Sequence, residues 1–174
     1  FVITSTYETA LTSIDGEACY LFDNVIIKQG KLRIIRHRVD NKIENQQFVI
    51  PDPTVDMTTV RIKVRAHEES QIFDVYIPFT SFAQMERDTR AYFTQETSTG
   101  EYSVYFGDDI VSYKPKTNAI VEIEYVTTQG SKGNGGRLYT MLDDVMGLTG
   151  GTVVLDAGSV QSIGGSDIES IEAV

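Results

Sequence analysis

The sequence holds one cysteine, two histidines and no apolar run near the roughly 20 residues that cross a bilayer as a helix. A single cysteine, Cys19, forms no internal disulfide and builds no cysteine-based zinc finger. Its neighbours, residues 18–22, read as a buried strand, so the thiol is expected to be an inert part of a core. His37 and His67 leave little material for imidazole chemistry. Basic side chains are also in short supply. With 15 against 25 acidic ones the formal net charge is −10, which favours solubility, repels phosphate backbones and makes nucleic acid an unexpected partner. The chain opens Phe1-Val2-Ile3-Thr4, without methionine or a charged leader, and it ends on an uninterrupted apolar spacing of Ile168, Ile171 and Val174. A fragment truncated at both ends is the expectation.

What is present is period-2 alternation. Val60, Ile62, Val64 and Ala66 fall on one face of a strand and Arg61, Lys63 and Arg65 on the other. Val121, Ile123 and Tyr125 alternate in the same way with Glu122 and Glu124. Tyr102, Val104 and Phe106 share a third face, with Ser103 and Tyr105 opposite. β-Branched or aromatic runs also cover residues 19–22, 25–27, 32–35, 48–50 and 73–77. Turn signals at Asp15-Gly16, Gln29-Gly30, Pro51-Asp52-Pro53 and Thr99-Gly100 separate them. The last predicts a hairpin between residues 92–96 and 101–106, with Gly100 in the left-handed region. Only residues 81–89 read as helical, over about two turns with Ser81 as cap.

The fold class is therefore mainly β: sandwich-like lobes of antiparallel strands with at most one or two short helices. Composition breaks near Gly130, since sixteen of the seventeen Phe and Tyr precede it and ten of the fourteen glycines lie at or after it. Aromatics fill thick cores, and glycine marks turns and closely approached backbone. Residues 1–130 are thus expected as the main β lobe. Residues 131–174 are expected as a smaller glycine-rich lobe or arm, with 152–155 its best strand.

No catalytic, cofactor-binding or metal site is expected. The run Gly130-Ser131-Lys132-Gly133-Asn134-Gly135-Gly136 lacks the spacing of a Walker loop or a dinucleotide fingerprint and reads as a turn. Asp108 and Asp109 lack a calcium-loop pattern and read as turn formers, even with Glu122 and Glu124 further along the chain. His67-Glu68-Glu69 is a polar loop with too few ligands for a metal. Lys28, Lys31, Arg33, Arg36, His37 and Arg38 form a basic stretch, expected as a solvated strand face or a patch for an acidic partner.

Read in order, several segments resemble the wedge proteins of contractile phage-tail baseplates, the baseplate J-like family. They are Asn24 to Lys31; Phe48 to Pro51 followed by Val55 to Val60; Tyr102 to Asp109 with its Phe106-Gly107-Asp108 turn; Lys114-Pro115; Ile120 to Tyr125; Gly130 to Gly135; and Gly165 to Ile171. The chain departs from the family's commonest pattern at Asp109, Ser112 and Asn118, where glycine is usual. Asp and Asn tolerate left-handed backbone, so the topology survives the change. The resemblance implies a non-enzymatic structural subunit without cofactors, assembled in the host cytoplasm and residing in the virion. It would form homodimers, help build the inner baseplate ring and contact other wedge proteins, with no small-molecule substrate and no membrane insertion. The alternative from a different class is a carbohydrate- or receptor-binding β-sandwich module of a tail fibre or a cell-surface protein, marked by aromatics gathered in one polar groove.

Overall fold

The computed structural model describes residues 2–3, 10–14, 16–81, 86, 88–109, 112–142, 151–155, 158 and 161–167. The described residues are almost entirely strands and turns: β1 (Val2–Ile3), β2 (Ala10–Ile14), β3 (Glu17–Leu21), β4 (Ile27–Lys28), β5 (Lys31–Arg38), β6 (Phe48–Ile50), β7 (Val55–Arg65), β8 (Phe73–Pro78), β9 (Ala91–Glu96), β10 (Tyr102–Phe106) and β11 (Ile120–Thr127), with a 3-10 turn over Gly130–Gly133. The chain is mainly β. No helix among the described residues is long and apolar enough to cross a membrane. Most of the helical reading of residues 81–89, and the tail from Ile168, lie outside the described residues.

The chain divides into two compact units, residues 32–127 and residues 1–31 with 128–174. A main lobe over 1–130 is thus not one unit in the structure, because its first strands pair among themselves. β1 pairs with β4, and β2 with β3.

The unit of residues 32–127 is one seven-stranded sheet in the order β5-β11-β7-β8-β9-β10-β6. Its pairings are antiparallel between β11 and β7, β7 and β8, β9 and β10, and β10 and β6. β8 and β9 run parallel, over two residue pairs. Alternation puts one face inward. Ile62 stands in register with both Ile123 and Tyr76, Val64 with Val121, and Val104 with Phe48, and all seven are buried. Fully burying an aliphatic side chain of this size stabilises a fold by about 1.5–3 kcal/mol. Phe106, partly exposed, stands edge-on to Phe48 and Tyr76 at 5.6 and 5.0 Å. The hairpin across Gly100 forms as the sequence predicts, with Gly100 at φ +79°. Tyr102, Val104, Phe106, Val121, Ile123 and Tyr125 do share one core. Their strands are not neighbours, however, since β7, β8 and β9 stand between β11 and β10.

The sheet's two edge strands meet at His37 of β5. Its ring lies 5.6 Å from Phe48 of β6, a ring N–H donates to the Val49 carbonyl, and Nε2 is buried without a partner. Burial therefore holds the imidazole below its ordinary pKa of 6.5, offset in part by the Val49 bond. In the unfolded chain His37 binds its proton near pH 6.5, and in the fold only at lower pH. Its contribution to stability is thus present above about pH 6.5 and is lost as pH falls towards the folded value. Urea midpoints measured from pH 7 to 5 should decline, and His37→Gln should flatten that decline.

A bulge interrupts the long pairing of β7 with β11. Register passes from Glu124↔Arg61 directly to Val126↔Asp56, leaving residues 57–60 opposite Tyr125. The Val126 N–H is satisfied by the Thr59 hydroxyl at 2.9 Å, and that hydroxyl donates to the Asp56 carbonyl at 2.6 Å. Thr59 is buried, so Thr59→Val leaves Val126 without an acceptor. Urea unfolding should show a loss of about 1–3 kcal/mol.

In the other unit, the glycine-rich turn is stapled to residues 162–167. Ser131 donates to the Asp167 carboxylate from its N–H and its hydroxyl, Gly135 donates to the Ser162 carbonyl, and Gly136 donates to the Ser162 hydroxyl. Asn134 and Gly165 exchange two bonds of 2.9 Å. The expected strand over 152–155 is reduced to a single bridge, Thr140↔Thr152. The run around Cys19 is not buried either. Cys19 is half-buried, and Tyr20 and Leu21 are exposed on a two-stranded hairpin that no further described strand joins.

Candidate interaction surface

The outward face of the seven-stranded sheet has two zones. Across β5, β11 and β7 it is an ion-pair lattice. Glu122 lies between two guanidinium groups, with Arg36 Nε at 2.8 Å and Arg65 Nη2 at 3.3 Å from the same carboxylate oxygen. Its side chain is only 7% exposed, so the two cations compensate a carboxylate withdrawn from water. Lys63 reaches Glu124 at 3.6 Å, and Arg38 reaches Glu68 at 3.0 Å. The latter pair is exposed on both sides and contributes little. The basic stretch before residue 38 is therefore in part internally neutralised, and the β7 and β11 charges are cross-strand neighbours, as their alternation allows.

Beyond β7 the face turns apolar. Phe73, Val75 and Ile77 project from β8 on one side, 44%, 55% and 55% exposed. The same alternation leads to Phe79, whose ring stacks on Phe93 at 4.8 Å, and Phe93 stacks in turn on Tyr105 at 5.3 Å. The Lys63 ammonium sits 5.3 Å over the Phe73 ring and marks the boundary between the zones. Sequence alternation detected the strand at residues 73–77 but not which face would be bare, because the wholly apolar side is the exposed one and the side that carries Asp74 buries Tyr76.

The residues with possible chemistry are placed as turns and loops. Asp109 has φ +66°; its N–H donates to the Ser112 carbonyl and its carboxylate accepts from the Lys114 N–H at 2.8 Å. His67, Glu68 and Glu69 lie in an exposed loop. In the glycine-rich run, the N–H groups of Ser131, Lys132, Asn134, Gly135 and Gly136 are all donated within the chain, so the turn is not an open cradle for phosphate. Among the described residues no three His, Cys, Asp or Glu side chains gather as metal ligands. A polar depression of about 460 Å³ is lined by Asn41, Asp88, Asp109, Tyr113, Lys114 and Lys116. The Arg90 guanidinium lies 5.4 Å over the Tyr113 ring.

No known family model matches the chain, and no curated protein matches it either.

Proposed function

We propose that the chain is a structural subunit of a contractile phage-tail baseplate wedge, acting by assembly with other proteins rather than by chemistry. The observation that carries this reading is the bare apolar band of Phe73, Val75 and Ile77, continued by the Phe79, Phe93 and Tyr105 stack and bordered by charge. An aromatic-rich apolar centre with a charged rim is the anatomy of a protein interface, and contiguous exposed patches of this kind mark partner sites. Backbone geometry adds support for the family resemblance. Asp109 and Asn118 stand where that family usually has glycine, and both adopt positive φ, +66° and +70°. The sugar-binding alternative draws less support, because the polar depression offers one aromatic ring and a guanidinium already lies over it.

The test is mixing with purified wedge subunits, followed by gel filtration with light scattering. A stoichiometric complex is expected, abolished by Val75→Asp with Ile77→Asp. Both positions are exposed, so each substitution should change unfolding free energy by no more than about 0.5 kcal/mol. Failure to form a complex with any wedge subunit would falsify the assignment.

A further inference from the structure

The seven-stranded sheet ends in β5 on one side and β6 on the other, and no ladder joins the two. They meet through side chains instead. His37 of β5 packs on Phe48 and donates a ring N–H to the Val49 carbonyl. In the connection between the strands, the Gln46 side chain accepts from the Asp40 N–H and donates to the Arg38 carbonyl. Farther along, the Tyr125 hydroxyl of β11 donates to the Asp52 carboxylate just past β6.

Of these three ties, His37 alone is built on an imidazole, and its Nε2 is buried without a partner. While neutral, the ring has one N–H to donate, and Val49 accepts it. A proton on Nε2 adds a second donor and a charge in a place where both are costly to bury. The charges along β5 are engaged elsewhere: Arg36 and Arg38 are bonded to Glu122 and Glu68, and Arg33 is exposed. β6 carries no titratable side chain. In the core around Phe48 the titratable groups are the hydroxyls of Tyr76, Tyr92, Tyr102, Tyr113 and Tyr125. Burial pushes Tyr76, Tyr92 and Tyr125 upward, so they stay neutral and do not balance an imidazolium.

We propose that protonation of His37 releases β5 from β6, opening this closure locally while the ladder from β11 through β10 stays paired. Moving the ring into water hydrates the new N–H and the charge together, at the loss of the Phe48 packing and the Val49 bond. β5 and β6 keep their own neighbours, β11 and β10, so the two edges can part without either strand unfolding. Both edges are then bare, and mild acid exposes strand backbone that is covered at neutral pH. The switch does not depend on the proposed assembly role.

Distance measurement across the closure tests it. Ile34→Cys on β5 and Val49→Cys on β6, both at exposed positions, carry paired spin labels in a Cys19→Ser background. The distance between the labels should lengthen as pH falls from 7 to 5, with a midpoint below the ordinary imidazole value of 6.5. That midpoint should coincide with the titration of the His37 ring followed by NMR. Amide exchange at Ile62 and Ile123 should stay slow over the same range. His37→Gln should make the distance independent of pH. Because that variant can loosen the closure outright, the ring titration in the unsubstituted chain is the second reading. An unchanged distance overturns the proposal, as does a change that survives His37→Gln. A His37 ring that titrates at or above 6.5 also overturns it. Simultaneous loss of protection at Ile62 and Ile123 would mean global unfolding in place of a local opening, and sinks it equally.

Discussion

Truncating Ile123 to alanine should lower the unfolding free energy by about 2–5 kcal/mol. Ile123 is fully buried in β11 and stands directly opposite Ile62, itself fully buried. Removing its branches forfeits the transfer free energy and leaves a void that two hydrogen-bonded strands cannot close without breaking their ladder. Phe106→Ala should cost less than the 3–5 kcal/mol typical of a buried phenylalanine, because that ring is partly exposed. Urea denaturation should show a shifted midpoint with an unchanged slope. A loss under about 0.5 kcal/mol at Ile123 would place it on the surface and refute the inward face assigned to β11.

Gly165→Ala should be nearly as damaging in the other unit, by about 1–3 kcal/mol. An added Cβ would lie 2.2 Å from the Gly130 carbonyl oxygen and 3.0 Å from Asn134 Oδ1. The first neighbour is backbone and cannot rotate aside, so relief requires separating the two segments and giving up the paired bonds between Asn134 and Gly165. Amide exchange at Ser131 and Gly165 should rise by an order of magnitude or more, which corresponds to about 1.4 kcal/mol. Gly158→Ala is the control, since nothing lies within 4 Å of a Cβ there. Equal effects at both positions would sink the argument from close approach.

Residues 60–66 and 121–125 were readable as strands from sequence because a buried inner face imposes alternation, and a one-residue slip would turn every side chain to the wrong side; the first of them begins earlier in the structure, at Val55, beyond a bulge that breaks the alternation. The Gly100 hairpin was legible because its turn demands a left-handed residue. The order of strands was not, since alternation fixes the face of each strand but not its neighbour, and β10 and β11 landed three strands apart. The run around Cys19 misled because an uncharged, apolar strand reads as buried whether its cover is in the same chain or another. The β8 face misled for the converse reason: its wholly apolar side, Phe73, Val75 and Ile77, is the bare one, and the side that carries Asp74 buries Tyr76.

The position of β5 beside β11 also sets a timetable. β5 is complete at Arg38, whereas its sheet neighbour begins at Ile120, 82 residues later. At a synthesis rate of roughly 5–20 residues per second, β5 waits on the order of 4–16 s for its partner. Through that interval Leu32, Ile34 and Ile35 lack the strand they will finally adjoin, a state open to pairing with other nascent chains. Arg33 among them, and Arg36 and Arg38 directly after, are charges of the kind that discourages such pairing. Arg36 is made well before Glu122, its partner in the fold, so substitution to an apolar residue should appear first as aggregation during synthesis.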